Sequence, residues 1–314
     1  MLKYLAILLD DTSVSYCHYA SGTKLNLMPI EILKEGIMFA MKNDLKIQYL
    51  LPNYELPVEY VNLMDTMFHD NIGFTGQEEM STIVVIDGFD ALKGHMKQLE
   101  KTKRYVIKTT INDFFTNYSL LKDVFEINIS INVVFTDVEN FSDDKAQIYE
   151  SILMDLGTSL KDLILSGYSI NTNLITDRIA LNEMNNCGAG DTLISLAPNG
   201  RFYPCPAFYY HNEAGLDFGD ITTGVNIPNQ KLFTLRCSPL CKQCDAYHCK
   251  RCVWLNKKMT YEINTPSRQQ CVMAHVERNA SMKLLDKFHE MNILSDKKIA
   301  PIDYIDPFDK YEII

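Results

Sequence analysis

Eight of the nine cysteines in this 314-residue chain fall between Cys187 and Cys271, so any fold for the C-terminal half must gather them. They are Cys187, Cys205, Cys237, Cys241, Cys244, Cys249, Cys252 and Cys271; Cys17 stands far upstream. Eight thiols make two sets of four, and four soft ligands close a tetrahedral zinc site or hold an iron–sulfur cluster. A disulfide framework belongs to small secreted domains. This chain is long, and its start, MLKYLAILLDD, has an apolar run of six residues ending in two aspartates, too short and too acidic for a signal peptide or membrane span. It reads as the first buried strand of a cytoplasmic protein. A formal charge of −10 with no local Lys/Arg cluster leaves no basic field for a phosphate backbone, so nucleic acid is not an expected partner.

With 46% hydrophobic residues the chain can bury one large core or two modest ones, and two are expected. Over residues 1–180, strand candidates at 4–9, 47–51, 82–86, 104–109, 128–135 and 173–177 alternate with helix-like stretches. In 29–42, Ile30, Ile32, Leu33, Ile37, Met38 and Met41 form an apolar stripe; 144–156 is another such stretch. Repeated strand–helix units of this length imply an α/β architecture with a parallel sheet, doubly wound or closed toward a barrel, and six strands suit a partial barrel. Residues 181–275 form a loop-rich cysteine domain interrupted by Gly and Pro. Within it 193–197 and 201–203 read as a β-hairpin turned by Pro198, Asn199 and Gly200. Residues 276–314 complete a C-terminal helix that begins near Val272, followed by an irregular tail with Pro301 and Pro307.

The densest stretch holds two pairs of thiols with C-x-x-C spacing, Cys241/Cys244 and Cys249/Cys252. That spacing turns both sulfurs inward onto one centre, and thiolates select zinc, copper(I) or iron–sulfur over hard cations. Lys242, Lys250 and Arg251 offset part of the negative charge. A zinc ribbon separates its two knuckles by about 15–20 residues. Only four lie between Cys244 and Cys249, which argues against one ordinary ribbon. Zinc in another grouping, with His248 or His211 in place of a thiolate, stays open.

A resemblance enters on these residues. Cys187, then Gly200 and Cys205, a close cysteine quartet and a later lone cysteine resemble the SPASM domain of radical S-adenosylmethionine (SAM) peptide maturases. The hairpin Ile194-Ser-Leu-Ala-Pro-Asn-Gly-Arg-Phe-Tyr-Pro-Cys205 and the downstream Phe218-Gly219-Asp220-Ile221 agree with it. The resemblance implies a partial (β/α)6 barrel followed by a domain with two auxiliary [4Fe–4S] clusters. Carried over, Cys187, Cys205 and Cys252 serve the first cluster, and Cys241, Cys244, Cys249 and Cys271 the second. The family often takes the first cluster's remaining ligand from a cysteine just upstream of Cys187. None exists here, and Cys237 is the substitute by count. The quartet spacing of two, four and two intervening residues also departs from the family's two, five and three.

The same family cleaves SAM at a cluster held by three cysteines in the loop after the first strand. The corresponding stretch, Leu8-Leu-Asp-Asp-Thr-Ser-Val-Ser-Tyr-Cys17-His-Tyr, resembles that loop but keeps the third cysteine alone, with Asp10 and Val14 in the other two places. Valine cannot ligate iron. The family's Gly-Gly-Glu-Pro turn falls near residues 51–57, where both glycines are missing and with them the close backbone approach to SAM. SAM is therefore not an expected cofactor, and Cys17 reads as a buried thiol, with a ligand or redox role as the alternative. Cys237, Cys241 and Cys244 repeat the triad's spacing but follow the barrel instead of its first strand.

Gly188 and Gly190 either admit backbone amides to cluster sulfurs or form a plain loop. The aromatic run Phe202, Tyr203, Phe208, Tyr209 and Tyr210 reads as hairpin packing and shielding before a peptide shelf. Asp10, Asp11 and Asp191 read as solvated acids. Among its relatives the chain looks most like the CXXX-repeat peptide maturases, which keep the C-terminal module without the SAM-cluster triad. The implied role is in maturing a small, ribosomally made cysteine-repeat peptide. The alternatives are a non-catalytic scaffold presenting that peptide to a separate modifying enzyme, and a zinc-stabilised interaction protein.

Overall fold

Short β-branched and aromatic runs become strands, and the segments with helical spacing become the helices that follow them. In the computed structural model, residues 1–211, 215–304 and 307 are described. They form in order β1 (Tyr4–Leu8), α1 (Ile30–Lys42), β2 (Lys46–Leu50), α2 (Val58–Met64), β3 (His69–Phe74), β4 (Ile83–Asp87), α3 (Phe89–His95), β5 (Arg104–Thr109), α4 (Ile111–Asn117) and α5 (Leu120–Glu126). There follow β6 (Ser130–Phe135), α6 (Asp143–Leu165), α7 (Thr176–Ala180), β7 (Leu193–Leu196), β8 (Phe202–Tyr203), α8 (Pro206–His211), β9 (Gly219–Asp220), β10 (Gly224–Val225), α9 (Val253–Thr260) and α10 (Arg268–Glu290). The irregular tail expected after α10 lies partly outside the described residues. No helix among those residues is long and apolar enough to cross a membrane.

Two units interleave along the chain. The first comprises Met1–Val85, Cys187–Lys242 and Cys252–Asn264; the second comprises Ile86–Asn186, Gln243–Arg251 and Thr265 onward. In the first unit β1 lies between two parallel neighbours, with Tyr4 opposite Lys46 of β2 and Leu193 of β7. β3 continues from β2 and β4 from β3, again parallel. A strand flanked on both edges and covered on both faces must be apolar throughout, and Leu5, Ala6, Ile7 and Leu8 are all fully buried. The expected hairpin is present: β7 and β8 pair antiparallel, and Gly200 takes φ +76° at the turn, where a side chain would be strained. α1 buries Leu33, Gly36, Ile37 and Ala40 but leaves Met38 and Met41 exposed, so its apolar stripe is narrower than its composition implies.

In the second unit β5 and β6 pair in parallel from Arg104 opposite Ser130 to Thr109 opposite Phe135, and α6 packs on α10. The ring of Tyr149 on α6 lies 5.7 Å from those of Phe114 and Phe135 and 5.8 Å from that of Phe141, in edge-on contacts.

Two elements differ from expectation. Residues 173–177 do not form a strand; they enter α7. Asn173 offers Val133 a side-chain acceptor at 2.8 Å and a donor at 2.9 Å, and Thr176 Oγ1 accepts from Thr172 N at 2.8 Å. Side chains thus take over the ladder's bonds and turn the backbone into a helix after a single bridge from Thr172 to Ile131. Conversely β3, His69-Asp-Asn-Ile-Gly-Phe74, is too polar to read as a strand, and its pairing with β2 and β4 makes it one.

Candidate metal centre

Residues 9–29 connect β1 to α1. Asp10 is fully buried instead of solvated. Its Oδ1 accepts from Thr12 N and Thr12 Oγ1, each at 2.7 Å, and its Oδ2 from Asn26 N at 2.8 Å and Tyr54 Oη at 3.1 Å. Val14 is fully buried, its N–H donating to Leu51 O at 2.9 Å. The two places without cysteine therefore hold a carboxylate committed to protein donors and a core valine. A cavity of about 750 Å³ opens beside Tyr54, with residues 51–56 and 74–80 around it.

The loop is clamped to α8. Tyr209 Oη donates to Asp11 Oδ1 at 2.5 Å, Tyr210 Oη donates to Asp11 O at 3.0 Å, and Tyr19 stacks on Tyr210 at 5.5 Å. α8 begins one residue after Cys205, so the clamp carries the Cys17 loop to that thiol. Phe202 and Phe208 are fully buried in the same core, so the aromatic run divides between packing and this clamp.

Two further segments converge there. Gly190 N donates to Leu193 O at 2.8 Å and to Pro204 O at 3.2 Å, tying the turn after Cys187 to the residue before Cys205. Cys252 precedes α9, whose Val253 is buried in one apolar cluster with Ala189, Phe208 and Phe233, and Cys205 packs against that cluster. Burial pushes the Cys205 thiol well above its ordinary range, and the charges of Cys252, Cys187 and Cys17 push it further. Burial and then Cys187 push Cys252 up to about 12. Burial also raises the Tyr16 phenol, and Cys17, Cys205, Cys187 and Cys252 all add to the rise. The segments that carry Cys187, Cys205 and Cys252 are thus tied to one apolar cluster, and Asp11 and Tyr19 tie the Cys17 loop to α8. At neutral pH the Cys205 and Cys252 thiols therefore keep their protons until a thiophilic metal centre replaces them. Cys237 is exposed at the end of a 3₁₀ turn, Leu235–Cys237.

Gly190 is needed for this convergence. It takes φ +74°, and an added Cβ would lie 2.2 Å from the Phe233 ring. Gly190→Ala is expected to cost roughly 2–3 kcal/mol, from the left-handed backbone and the displaced ring. Equilibrium urea unfolding measures it; a loss under about 0.5 kcal/mol is what a plain surface loop would give.

In the second unit, Ala246 N donates to Cys244 Sγ at 3.4 Å and Arg251 N to Cys249 Sγ at 3.5 Å, the kind of N–H···S contact that supports a ligating thiolate. Tyr304 Oη lies 3.9 Å from Cys244 Sγ and 3.0 Å from His275 Nε2, while His275 Nδ1 bonds the carbonyl of Cys271 at 2.8 Å. Tyr304 and His275 thereby connect the Cys244 turn to the start of α10. Cys241, which belongs to the first unit, opens the 3₁₀ turn Cys241–Gln243.

This segment is held by acids and bases that no motif flags. Asp245 accepts from Arg278 Nε at 2.7 Å, Tyr304 Oη at 2.7 Å and Arg178 Nη2 at 3.3 Å. His248 is buried, with Nε2 2.9 Å from Glu277 Oε2, so that nitrogen faces a carboxylate; His211 is exposed. Among the described residues no three His, Cys, Asp or Glu side chains stand at the spacing of a single metal ion.

No family model and no curated protein matches the sequence. Solved structures do. The chain is similar to native anSMEcpe with bound AdoMet and the Cp18Cys peptide, at TM-score 0.61 and 13% identity over 92% of this chain and 100% of that one. The same protein with the Kp18Cys peptide gives 0.61 and 14% over 91% and 99%, and a polyhistidine-tagged form with AdoMet gives 0.56 and 13% over 94% and 100%. The chain has the α/β fold of these structures.

Proposed function

We propose that this chain is an iron–sulfur protein that acts in the maturation of a ribosomally made, cysteine-repeat peptide without cleaving SAM. The observation that carries the proposal is one of contrast. Contacts tie the segments that carry Cys187, Cys205 and Cys252 together, which supports the accessory cluster the resemblance implies, while Asp10 and Val14 fill two of the three places of the SAM-cleaving triad. Fold neighbours that bind AdoMet and cysteine-containing peptides support the peptide as partner.

Cys187, Cys205 and Cys252 would hold the first cluster, and Cys241, Cys244, Cys249 and Cys271 the second. Bound, the clusters supply electron transfer or an iron site able to take a substrate thiolate. The protein's own part is to place the peptide and keep water from the thiols. A second reading, a scaffold that presents the peptide to a separate modifying enzyme, is favoured by the saturated hydrogen bonding of Asp10.

Anaerobic purification with metal and sulfide analysis is expected to find about eight irons with matching acid-labile sulfide per chain. About two zinc ions and no sulfide would sink the cluster claim in favour of a zinc-stabilised protein. Incubation with reductant and SAM is expected to release no 5′-deoxyadenosine.

A further inference from the structure

We infer that Cys17, and not Cys237, supplies the fourth thiolate of the first iron–sulfur site, together with Cys187, Cys205 and Cys252. This rests on the cluster reading above and changes its ligand set. By its place in the sequence Cys17 is the last remnant of a SAM-cleaving triad, and its two partner positions cannot help it there: Val14 lacks a donor atom and Asp10 has both oxygens engaged.

The loop that carries Cys17 is turned toward another site. Asp11 accepts from the hydroxyls of Tyr209 and Tyr210, and Tyr19 lies flat on Tyr210. Those two tyrosines sit on α8, four and five residues after Cys205, so the clamp presses the segment containing Cys17 onto the segment containing Cys205. The Gly190–Pro204 bond and the burial of Val253 bring Cys187 and Cys252 to the same place. Every one of these contacts lies within the first unit.

The count then closes. Cys17, Cys187, Cys205 and Cys252 make one set; Cys241, Cys244, Cys249 and Cys271 make the other; Cys237, at the end of its 3₁₀ turn, is left over by count, its exposure being shared by Cys187. On loading, each of the four thiols gives its proton to solvent and its sulfur lone pair to one iron. No electron is transferred in that step. A loop built to hold a catalytic cluster would thus serve here as a strap across an accessory one.

The test uses the full chain, reconstituted anaerobically with iron and sulfide. In the wild-type protein, iodoacetamide labelling read by peptide mass spectrometry should spare Cys17 and label Cys237. After chelation Cys17 should become reactive along with Cys187. Cys17→Ala should lose at least about one iron per chain and show a new three-iron EPR signal on mild oxidation, while Cys237→Ala keeps the wild-type iron content and spectrum. Far-UV circular dichroism separates a lost ligand from a lost fold, and the wild-type labelling pattern decides the matter if the variant does not fold. A wild-type protein with full clusters whose Cys17 is labelled as fast as Cys237, or a Cys237→Ala variant that alone loses iron, would overturn the assignment but leave the cluster reading intact. Wild-type protein that takes up no iron and sulfide overturns both.

Discussion

Asp245→Ala is expected to lower the unfolding free energy by about 3–5 kcal/mol, because it leaves two buried guanidinium groups without their counter-ion. Arg278 and Arg178 are 2% and 4% exposed, and both reach the Asp245 carboxylate. Burial alone would push that carboxyl up; the hydrogen bonds from Arg278 and Tyr304 and the two positive charges outweigh it and hold the group below its usual range. The pair is therefore ionised in the folded protein at neutral pH, and removal of the acid exposes the full desolvation cost of the bases. Part of that cost is offset for Arg178, which also lies 4.3 Å over the Tyr247 ring. Asp245 stands between Cys244 and Cys249, so the same change should loosen the turn that presents those thiols. Urea unfolding at pH 7, with unchanged m-value, checks the energy. A loss below about 1 kcal/mol would mean that water reaches the two arginines and that the segment is not anchored as described.

How much of this was legible beforehand depends on whether one residue or a partnership carried the signal. β5 was readable to the residue because Arg104–Thr109 is a short β-branched run, and the hairpin was readable from Asn199-Gly200. α7 was not, since Asn173 and Thr176 substitute side-chain bonds for a ladder, and nothing in their spacing says which neighbour they will meet. β3 was missed for the opposite reason: its polar residues acquire strand conformation from the two strands beside it. Six parallel strands were expected and β1–β6 are six, but β3 takes the place of 173–177. At the candidate centre the eight clustered cysteines stood out by count, whereas Cys17 is some 170 positions from Cys187 in the chain, and the bonds that tie its loop to α8 through Asp11 leave no mark in the sequence. Asp10 read as a solvated acid; Thr12, Asn26 and Tyr54 make it a buried one. The acids and bases that hold the second unit's cysteines could not be found from motifs, because Arg178, Asp245, Glu277 and Arg278 look like any surface charges until the fold buries them.

Glu277→Ala should cost on the order of 3–6 kcal/mol, the sum of two buried polar groups that each lose a charged partner at about 1.5–3 kcal/mol. Tyr149 Oη donates to Glu277 Oε1 at 2.6 Å and His248 Nε2 meets Oε2 at 2.9 Å, with all three residues buried. Burial, reinforced by the Glu277 charge, holds the Tyr149 phenol well above its ordinary range, so it stays a donor across the working pH. Its ring is enclosed by Phe114, Phe135 and Phe141 and cannot turn its hydroxyl to water. Glu277→Gln keeps an acceptor for Tyr149 and offers His248 an amide donor, so it should cost only about 1–2 kcal/mol. The difference between the two variants isolates hydrogen bonding from packing. His248 precedes Cys249 directly, and releasing its ring should free the Cys244–Cys249 turn. In anaerobically reconstituted protein Glu277→Ala should therefore lose about four irons, those of the second site, while Cys187, Cys205 and Cys252 stay protected from alkylation. Equal losses for alanine and glutamine, or full iron in both, would show that Glu277 positions neither the tyrosine nor the cysteine turn.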